Sequence, residues 1–383
     1  MKTTANCLLL LLLVIAPTAR AQQPCSEPPF TSFTNWAQFH FSPCHTGFNP
    51  YEFILSPSTV GNLGLKWRYA TGGAFASSPA VVNGVVYILS MDANVYALNA
   101  LTGAQLWSHH TEYGSESSAA VANGVVYVGT QDHKVYALNA STGALVWSYT
   151  TGAEVYDSPA VADGVVYITS YDHNVYALNA STGNKLWSFT TGGMLACSPA
   201  VANGVVYVAA SDANVYALNA KTGAYLWSYR TTTGVGSPPA VANGVVYVSA
   251  GYPNYNVYAL NALTGAKLWS YGIGSYATTA PAVVNGVVYV GIDDGVYALN
   301  ASTGALLWSY TTGDFVGEPV VTNGVVYVGS YDHNLYALNA STGVKLWSYA
   351  TGGLVTSSPS VANGVVYVGS WDYNVYAFGL PSH

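Results

Sequence analysis

Short apolar runs separated by small polar turns recur eight times along the chain, at a spacing of about 40 residues. Each unit has four runs, typified by "SPAVA", "GVVYVGS", "NVYALNA" and "ALLWSYTT". Val and Tyr dominate the second and third runs, and both favour β-strands. A period near 40 residues is typical of helical-pair repeats or of four-stranded propeller blades. Because the runs are rich in strand-forming residues, the repeat is interpreted as propeller blades and not as helical pairs.

The turns between the runs predict antiparallel hairpins. Asn-Gly or Asp-Gly joins the first run to the second, and these residues suit a type I′ turn because it requires positive φ twice. "NASTG" before the fourth run places a Gly where a left-handed backbone is expected. An Asp between the second and third runs is predicted to bond its own backbone. This Asp occurs at Asp92, Asp132, Asp172, Asp212, Asp332 and Asp372.

The first and last units are incomplete in a complementary way. A fourth run around Trp67 precedes the first unit, and the last unit ends after its third run, "NVYAF". A ring can close by pairing these two chain ends, and closure removes exposed strand edges. The sequence therefore predicts an all-β, eight-bladed β-propeller of four-stranded antiparallel blades. The strand around Trp67 is expected to complete the last blade.

The turn before each fourth run carries a motif that resembles a known family. "ALNALTGAQLW", residues 97–107, is similar to the tryptophan-docking motif of the pyrroloquinoline-quinone (PQQ) dehydrogenases, with Asn where that motif prefers Asp. The resemblance covers residues 61–379 and implies a PQQ-like propeller. It is shared by the propeller lipoprotein of bacterial outer-membrane barrel assembly, so it does not imply that PQQ is bound.

The tryptophans of the fourth runs are expected to be structural. An indole between neighbouring blades buries a large area, and an eightfold feature does not suit catalysis, which needs one asymmetric cluster. The predicted docking residues are Trp67, Trp107, Trp147, Trp187, Trp227, Trp269, Trp308 and Trp347.

The N-terminus is predicted to direct export. Lys2, an apolar run at 7–16 and the small-x-small site "ARA" form a secretory signal peptide, residues 1–21, cleaved after Ala21. Residues 22–60 then form an N-terminal extension and 61–383 the propeller. No stretch approaches the roughly 20 apolar residues of a membrane span. We expect a secreted or periplasmic protein without such a span.

Charge and composition narrow the class of partner. Loss of Lys2 and Arg20 with the leader removes two positive charges and takes the net charge from −7 to −9. Nucleic-acid binding needs a basic surface and is therefore not expected. Charged residues make up only 7% of the chain, beside 32 Tyr and 39 Gly, which suits a β-rich extracellular protein.

The cysteines of the exported chain predict one disulfide. Cys25 and Cys44 both lie in the N-terminal extension, which has little repeat structure to hold it. A bridge between them is expected to contribute roughly 3 kcal/mol if unstrained. Cys197 remains as an odd thiol and is expected to be a small buried residue.

Differences between the repeats mark the candidate binding residues. They gather in the loops that join successive blades and in the turns between second and third strands, which share one face around the channel mouth. Glu318 replaces a Ser that recurs in other units. The predicted binding residues are Glu112, Glu116, Glu154, Asp157, Arg230, Asp314, Glu318 and Trp371. An acidic, aromatic mouth suits a cation, a sugar or a basic protein segment, whereas drift in exposed loops explains the same variation.

Two functions from different classes are consistent with these features. The favoured one is a non-catalytic, monomeric binding or scaffold propeller, without a cofactor, whose partner is another protein or a cell-surface glycan. The alternative is a PQQ-dependent alcohol or sugar dehydrogenase, which by resemblance implies PQQ, Ca²⁺, a catalytic Asp and adjacent cysteines. The chain has no adjacent cysteine pair and no long inserted loops. The turn histidines His133, His173 and His333 are too dispersed for a metal site, so no catalytic or metal residue is assigned.

Overall fold

The computed structural model describes residues 35–195, 197–251, 255–274 and 279–381. The predicted leader, its cleavage site after Ala21, and Cys25 lie outside these ranges. Within them the chain forms eight four-stranded antiparallel sheets, and the first strands of successive sheets contact one another around a ring. The predicted all-β, eight-bladed propeller is confirmed. The helical structure in these ranges is a single 3₁₀ turn, η1 (Val60–Asn62), and none of it is long and apolar enough to cross a bilayer.

The strands follow the four predicted runs of each unit. The innermost strands are β2 (Ala80–Val82), β6 (Ala120–Ala122), β10 (Ala160–Ala162), β14 (Ala200–Ala202), β18 (Ala240–Ala242), β22 (Ala282–Val284), β26 (Val320–Thr322) and β30 (Ser360–Ala362). The second strands are β3 (Val85–Leu89), β7 (Val125–Gly129), β11 (Val165–Thr169), β15 (Val205–Ala209), β19 (Val245–Ala250), β23 (Val287–Ile292), β27 (Val325–Gly329) and β31 (Val365–Gly369). The third strands are β4 (Asn94–Asn99), β8 (Lys134–Asn139), β12 (Asn174–Asn179), β16 (Asn214–Asn219), β20 (Asn256–Asn261), β24 (Gly295–Asn300), β28 (Asn334–Asn339) and β32 (Asn374–Gly379). The outermost strands are β5 (Gln105–His110), β9 (Leu145–Thr150), β13 (Lys185–Thr190), β17 (Tyr225–Arg230), β21 (Lys267–Gly272), β25 (Leu306–Thr311), β29 (Lys345–Ala350) and β1 (Gly64–Ala70).

The ring closes by pairing the two ends of the chain. The last sheet has the order β1-β32-β31-β30, so its outermost strand comes from the start of the propeller. Trp67 lies opposite Ala377 and Tyr69 opposite Val375 in this antiparallel pair. The predicted closure around Trp67 is confirmed.

The hairpin turns have the predicted backbone. Asn83 and Gly84 both have positive φ, 51° and 78°, and the same holds for the other seven Asn-Gly or Asp-Gly turns. The turn aspartates bond their own backbone as predicted: Asp92 accepts the N–H of Asn94 at 3.0 Å. Gly103 has φ 72°, and a Cβ there would lie 2.7 Å from an indole carbon of Trp67. Only glycine satisfies both constraints.

Each outer-strand indole reaches the next blade. Trp67 Nε1 donates to the carbonyl oxygen of Ala100 at 2.9 Å, and Trp107 Nε1 donates to that of Ala140 at 2.9 Å. Equivalent bonds join Trp147 to Ala180, Trp187 to Ala220, Trp227 to Ala262, Trp269 to Ala301, Trp308 to Ala340 and Trp347 to Leu63. The last of these crosses the ring closure, so the eight indoles link all the blades.

A segment before the propeller runs through the central channel. Residues 36–49, here called the inner strap, bond the middle residue of the innermost strand in every blade, in chain order. In the first blade, the N–H and carbonyl of Trp36 both pair with Val81 at 2.7 Å. In the next six blades the valine N–H donates to the strap, and in the eighth Asn49 Nδ2 donates to the valine carbonyl. The pairs are Val121–Ala37, Val161–Gln38, Val201–Pro43, Val241–Cys44, Val283–Thr46, Val321–Gly47 and Val361–Asn49.

Further bonds hold the strap and the residues just after it. Cys44, within the strap, is disulfide-bonded; because Cys25 lies outside the described ranges, the predicted pairing of the two stays a prediction. Cys197 is a free, buried cysteine. Beyond the strap, the buried Glu52 carboxylate accepts the N–H groups of Ile54 at 2.8 Å and Leu55 at 3.2 Å, and that of Gly364 at 2.8 Å in the last blade. The described part of the extension, residues 35–60, is therefore an integral part of the ring.

Gln38→Ala tests the contribution of the strap. The side chain is buried; it donates to the carbonyl of Val161 at 3.1 Å and accepts its N–H at 2.8 Å. Leaving both backbone groups unpaired should lower the free energy of unfolding by about 2–4 kcal/mol. Urea denaturation provides the measurement, and the exposed Gln105→Ala is the control. Equal losses in the two variants would contradict this role.

Trp67→Ala tests ring closure. Removing a buried indole from the blade junction should cost about 3–5 kcal/mol of unfolding free energy, and deletion of residues 61–71 should cause aggregation because it exposes the edge of β32. Thermal and urea denaturation are the readouts. Trp371, which is 41% exposed, supplies the matched control, because its truncation is expected to change stability by less than about 1 kcal/mol. A Trp67→Ala protein that melts like its parent would show that this strand does not close the ring.

Candidate functional site

The channel opens on the face opposite the Asn-Gly turns, and the inner strap closes it from below. Phe39 of the strap forms part of the floor of a cavity of about 320 Å³, here called the mouth. The ring of Phe39 lies 4.6 Å from that of His40 and 5.2 Å from that of His45. Burial lowers the pKa of both histidines to about 3, so the floor is uncharged at neutral pH.

Three carboxylates from different blades line the mouth: Glu116, Asp157 and Glu318. Burial raises the pKa of Asp157 to about 7; a hydrogen bond from Thr169 Oγ1 at 3.0 Å opposes the shift, and repulsion from Glu116 adds to it. Burial likewise raises the pKa of Glu318, opposed by a hydrogen bond from Ser358 Oγ at 2.7 Å. Among the described residues, no lysine or arginine lines this cavity.

A belt of serines surrounds the mouth at the start of the innermost strands. In four of the five serines, the N–H donates to the hydroxyl of the equivalent serine one blade on. The bonds run from Ser358 to Ser78 at 3.0 Å, Ser78 to Ser118 at 2.8 Å, Ser118 to Ser158 at 2.9 Å and Ser158 to Ser198 at 2.9 Å. Pro238 and Ala280 occupy the next two positions, and Glu318 the one after, where it accepts from Ser358. The belt therefore covers five blades and ends on a carboxylate.

Aromatic side chains rise from the edge of the mouth. Trp371, Tyr331 and Tyr156 line it, and the indole of Trp371 is fixed by a bond from Nε1 to Thr356 Oγ1 at 2.9 Å. Tyr156 packs against Tyr171 with ring centroids 4.7 Å apart. The mouth thus combines carboxylates, hydroxyls and ring faces.

The structure brings together only half of the predicted binding residues. Glu116, Asp157, Glu318 and Trp371 line the mouth, whereas the other four lie outside its lining. Glu112 forms an ion pair with Lys134, with Oε1 and Nζ 2.9 Å apart. Glu154 Oε1 lies 4.0 Å from His133 Nε2. Asp314 and Arg230 are exposed, and Arg230 ends the outermost strand β17.

Several residues of the mouth carry no signal in the sequence. Tyr156 sits beside Asp157, but no residue pattern distinguishes its ring. Tyr331 precedes a turn Asp and resembles Tyr171 in another blade. Phe39 carried no signal, because the extension has no repeat from which its position in the channel can be inferred.

The family is decided by sequence comparison. A family model described as outer membrane protein assembly factor BamB matches residues 64–118, 109–198, 190–280 and 253–380, which together span well over half of the chain. The chain belongs to the BamB family. No curated protein sequence matches it.

Solved structures share the fold of this BamB family member. BamB from Moraxella catarrhalis has 20% identity and a TM-score of 0.72, covering 83% of this chain and 100% of its own. Quinohemoprotein alcohol dehydrogenase from Comamonas testosteroni has 18% identity and a TM-score of 0.81, covering 91% and 82%. The computationally designed Ika8 protein has 19% identity and a TM-score of 0.74, covering 81% and 98%. At these identities the likeness extends to the fold alone.

The described lining of the mouth offers PQQ no cationic side chain. The quinone carries three carboxylates, and Glu116, Asp157 and Glu318 would face it without a lysine or arginine from the described lining. Like charges in such a site repel unless a cation lies between them. The turn histidines also remain apart: no group of three or more potential metal ligands occurs in the part of the chain that the structure describes.

Asp157→Asn tests the electrostatics of the mouth. Because its folded pKa is raised, the native carboxyl stays protonated while the unfolded one ionises, so Asp157 destabilises the fold as pH rises from about 4 to about 7. Relative to the wild type, the variant should be unchanged near pH 4 and more stable by about 1–3 kcal/mol at pH 8, after allowance for partial exposure. Urea denaturation across pH measures this. The exposed Asp314→Asn is the control, and parallel curves for Asp157→Asn and the wild type would contradict the shift.

Proposed function

We propose that the protein is a non-catalytic binding module that engages another protein or a cell-surface glycan through its mouth. The observation that carries this proposal is the asymmetry of one site: three carboxylates converge where most other repeats place serine or small residues, and aromatic rings border them. The rest of the propeller is nearly uniform from repeat to repeat, and its recurring side chains hold neighbouring blades together. A site that departs from the repeat at a concave surface is where recognition is expected.

The electrostatics of the mouth favour cationic or hydroxyl-rich partners. Carboxylates in a concave site with low-dielectric walls focus the field and raise the local concentration of cations, an effect that salt weakens. The raised pKa values of Asp157 and Glu318 mean that a cationic group gains by restoring their charged form.

The family and the predicted leader support a cellular location for the protein. The BamB description refers to outer membrane protein assembly, and the predicted signal peptide directs export. Together they support a location in the bacterial envelope or outside the cell, and we propose that the protein acts there as a monomer. PQQ with Ca²⁺ remains the rival hypothesis because quinohemoprotein dehydrogenases share the fold, and the same experiment addresses it.

The test compares two triple variants of the mature protein. Glu116→Gln/Asp157→Asn/Glu318→Gln removes the charge of the mouth, and Glu112→Gln/Glu154→Gln/Asp314→Asn removes an equal charge outside it. Each protein is immobilised and exposed to a solubilised envelope preparation containing proteins and glycans. The mouth variant should lose at least about ten-fold in retained partner, whereas the outer variant should bind like the wild type. Neither variant should melt below the wild type, so a loss of binding cannot be ascribed to unfolding.

Two results would overturn the proposal. One is equal loss of binding in both triple variants, which would make the mouth irrelevant. The other is dye-linked alcohol or sugar oxidation by purified protein, together with a rise in melting temperature on addition of PQQ and Ca²⁺, which would establish the dehydrogenase instead.

A further inference from the structure

The serine belt presents buried hydroxyls to the mouth. Ser78, Ser118, Ser158 and Ser198 are 3–5% exposed and line the cavity. Each hydroxyl accepts the N–H of its belt neighbour, and within the described ranges no acceptor is found for its own proton. Buried hydroxyls normally find a partner for the proton as well. These four donors are available to the oxygen atoms of a ligand.

The carboxylates supply the complementary acceptors. Glu318 continues the belt, Asp157 lies directly before Ser158, and Glu116 lies two residues before Ser118. With no lysine or arginine in the described lining, an ammonium group is the partner that neutralises this wall while donating several hydrogen bonds. A purely neutral ligand would make no use of the charged form of these carboxyl groups.

Aromatic faces complete the site. Trp371 and Tyr331 are 41% and 38% exposed and border the mouth, and the bond from Trp371 Nε1 to Thr356 Oγ1 holds the indole in place. Such faces pack against C–H surfaces and attract cations. The cavity of about 320 Å³ is at the small end of the range for ligand sites, which suits one ring-sized group.

The combination points to an amino-sugar residue with a free ammonium group as the ligand of the mouth. Its ammonium pairs with Asp157 and Glu318, its hydroxyls accept from the serine belt, and its C–H face packs on Trp371 or Tyr331. This inference rests on the proposed function and names the chemical group that the binding module recognises. A simple amine has no hydroxyl groups to accept hydrogen bonds from the serines. A divalent cation has no C–H face to pack against the aromatic rings.

The experiment titrates the mature protein at pH 7 with glucosamine, glucose, ethanolamine and calcium chloride. Saturation-transfer NMR detects binding, and tryptophan fluorescence reports contact with Trp371, using Trp371→Phe to identify the signal. Glucosamine should bind at least about ten-fold more tightly than glucose or ethanolamine, because it alone meets all three sets of groups.

Variants separate the contributions. Asp157→Asn/Glu318→Gln should reduce glucosamine affinity to that of glucose. Ser118→Ala/Ser158→Ala should weaken glucosamine and glucose by a similar factor and leave ethanolamine unchanged. Glu112→Gln/Asp314→Asn, outside the mouth, is the matched control and should bind all ligands like the wild type.

The inference is overturned if glucosamine does not bind at millimolar concentration, if ethanolamine or Ca²⁺ binds as tightly, or if Asp157→Asn/Glu318→Gln retains glucosamine. The proposed function stands or falls separately. Envelope binding that still depends on the mouth carboxylates would preserve the binding module and reject only the amino sugar, whereas envelope binding indifferent to them would reject both.

Discussion

The bond from each outer-strand indole to a carbonyl of the next blade is the interaction on which the ring depends. A single four-stranded blade buries little apolar surface and cannot be stable alone. The indole covers a left-handed Gly such as Gly103 and bonds the turn beside it, so each blade is fixed to its neighbour at its outer margin. Because Trp347 bonds Leu63, the series has no free end.

The inner margin of the ring is held by different means. Innermost strands of three residues present unpaired backbone groups to the channel, and unsatisfied backbone groups in a buried site are costly. The inner strap supplies the missing partners by its own backbone and by Gln38 and Asn49. Its path requires positive φ at His40, Phe41 and His45. The hydrogen bonds to all eight blades offset the cost of this backbone conformation. The mouth is a cavity with a floor because this strap fills the channel beneath it.

Periodicity explains why most of the fold was predictable and the strap was not. Strands and turns each have eight copies of a local signal in the sequence, and Trp67 at the front of the chain indicates how the ring joins. The strap contacts every blade once, largely through carbonyl oxygens that any residue can supply, so its side chains carry no pattern. The candidate site shows the same division. Glu318 can be predicted from the sequence because it replaces a serine of the repeat. Glu112 and Asp314 are predicted together with it because the sequence shows which loop a residue occupies but not how far that residue lies from the channel axis.

The order in which the strap meets the blades imposes an order on folding. Residues 36–49 are synthesised before any blade exists, yet Asn49 bonds Val361, 312 residues later in the chain. Loop-closure entropy makes such distant contacts slow to form. The later residues of the strap therefore stay unpaired while the blades assemble, and Asn49 gains its partner only when β30 forms. A chain cut short anywhere before the eighth blade leaves the hydrogen bonds of the strap incomplete.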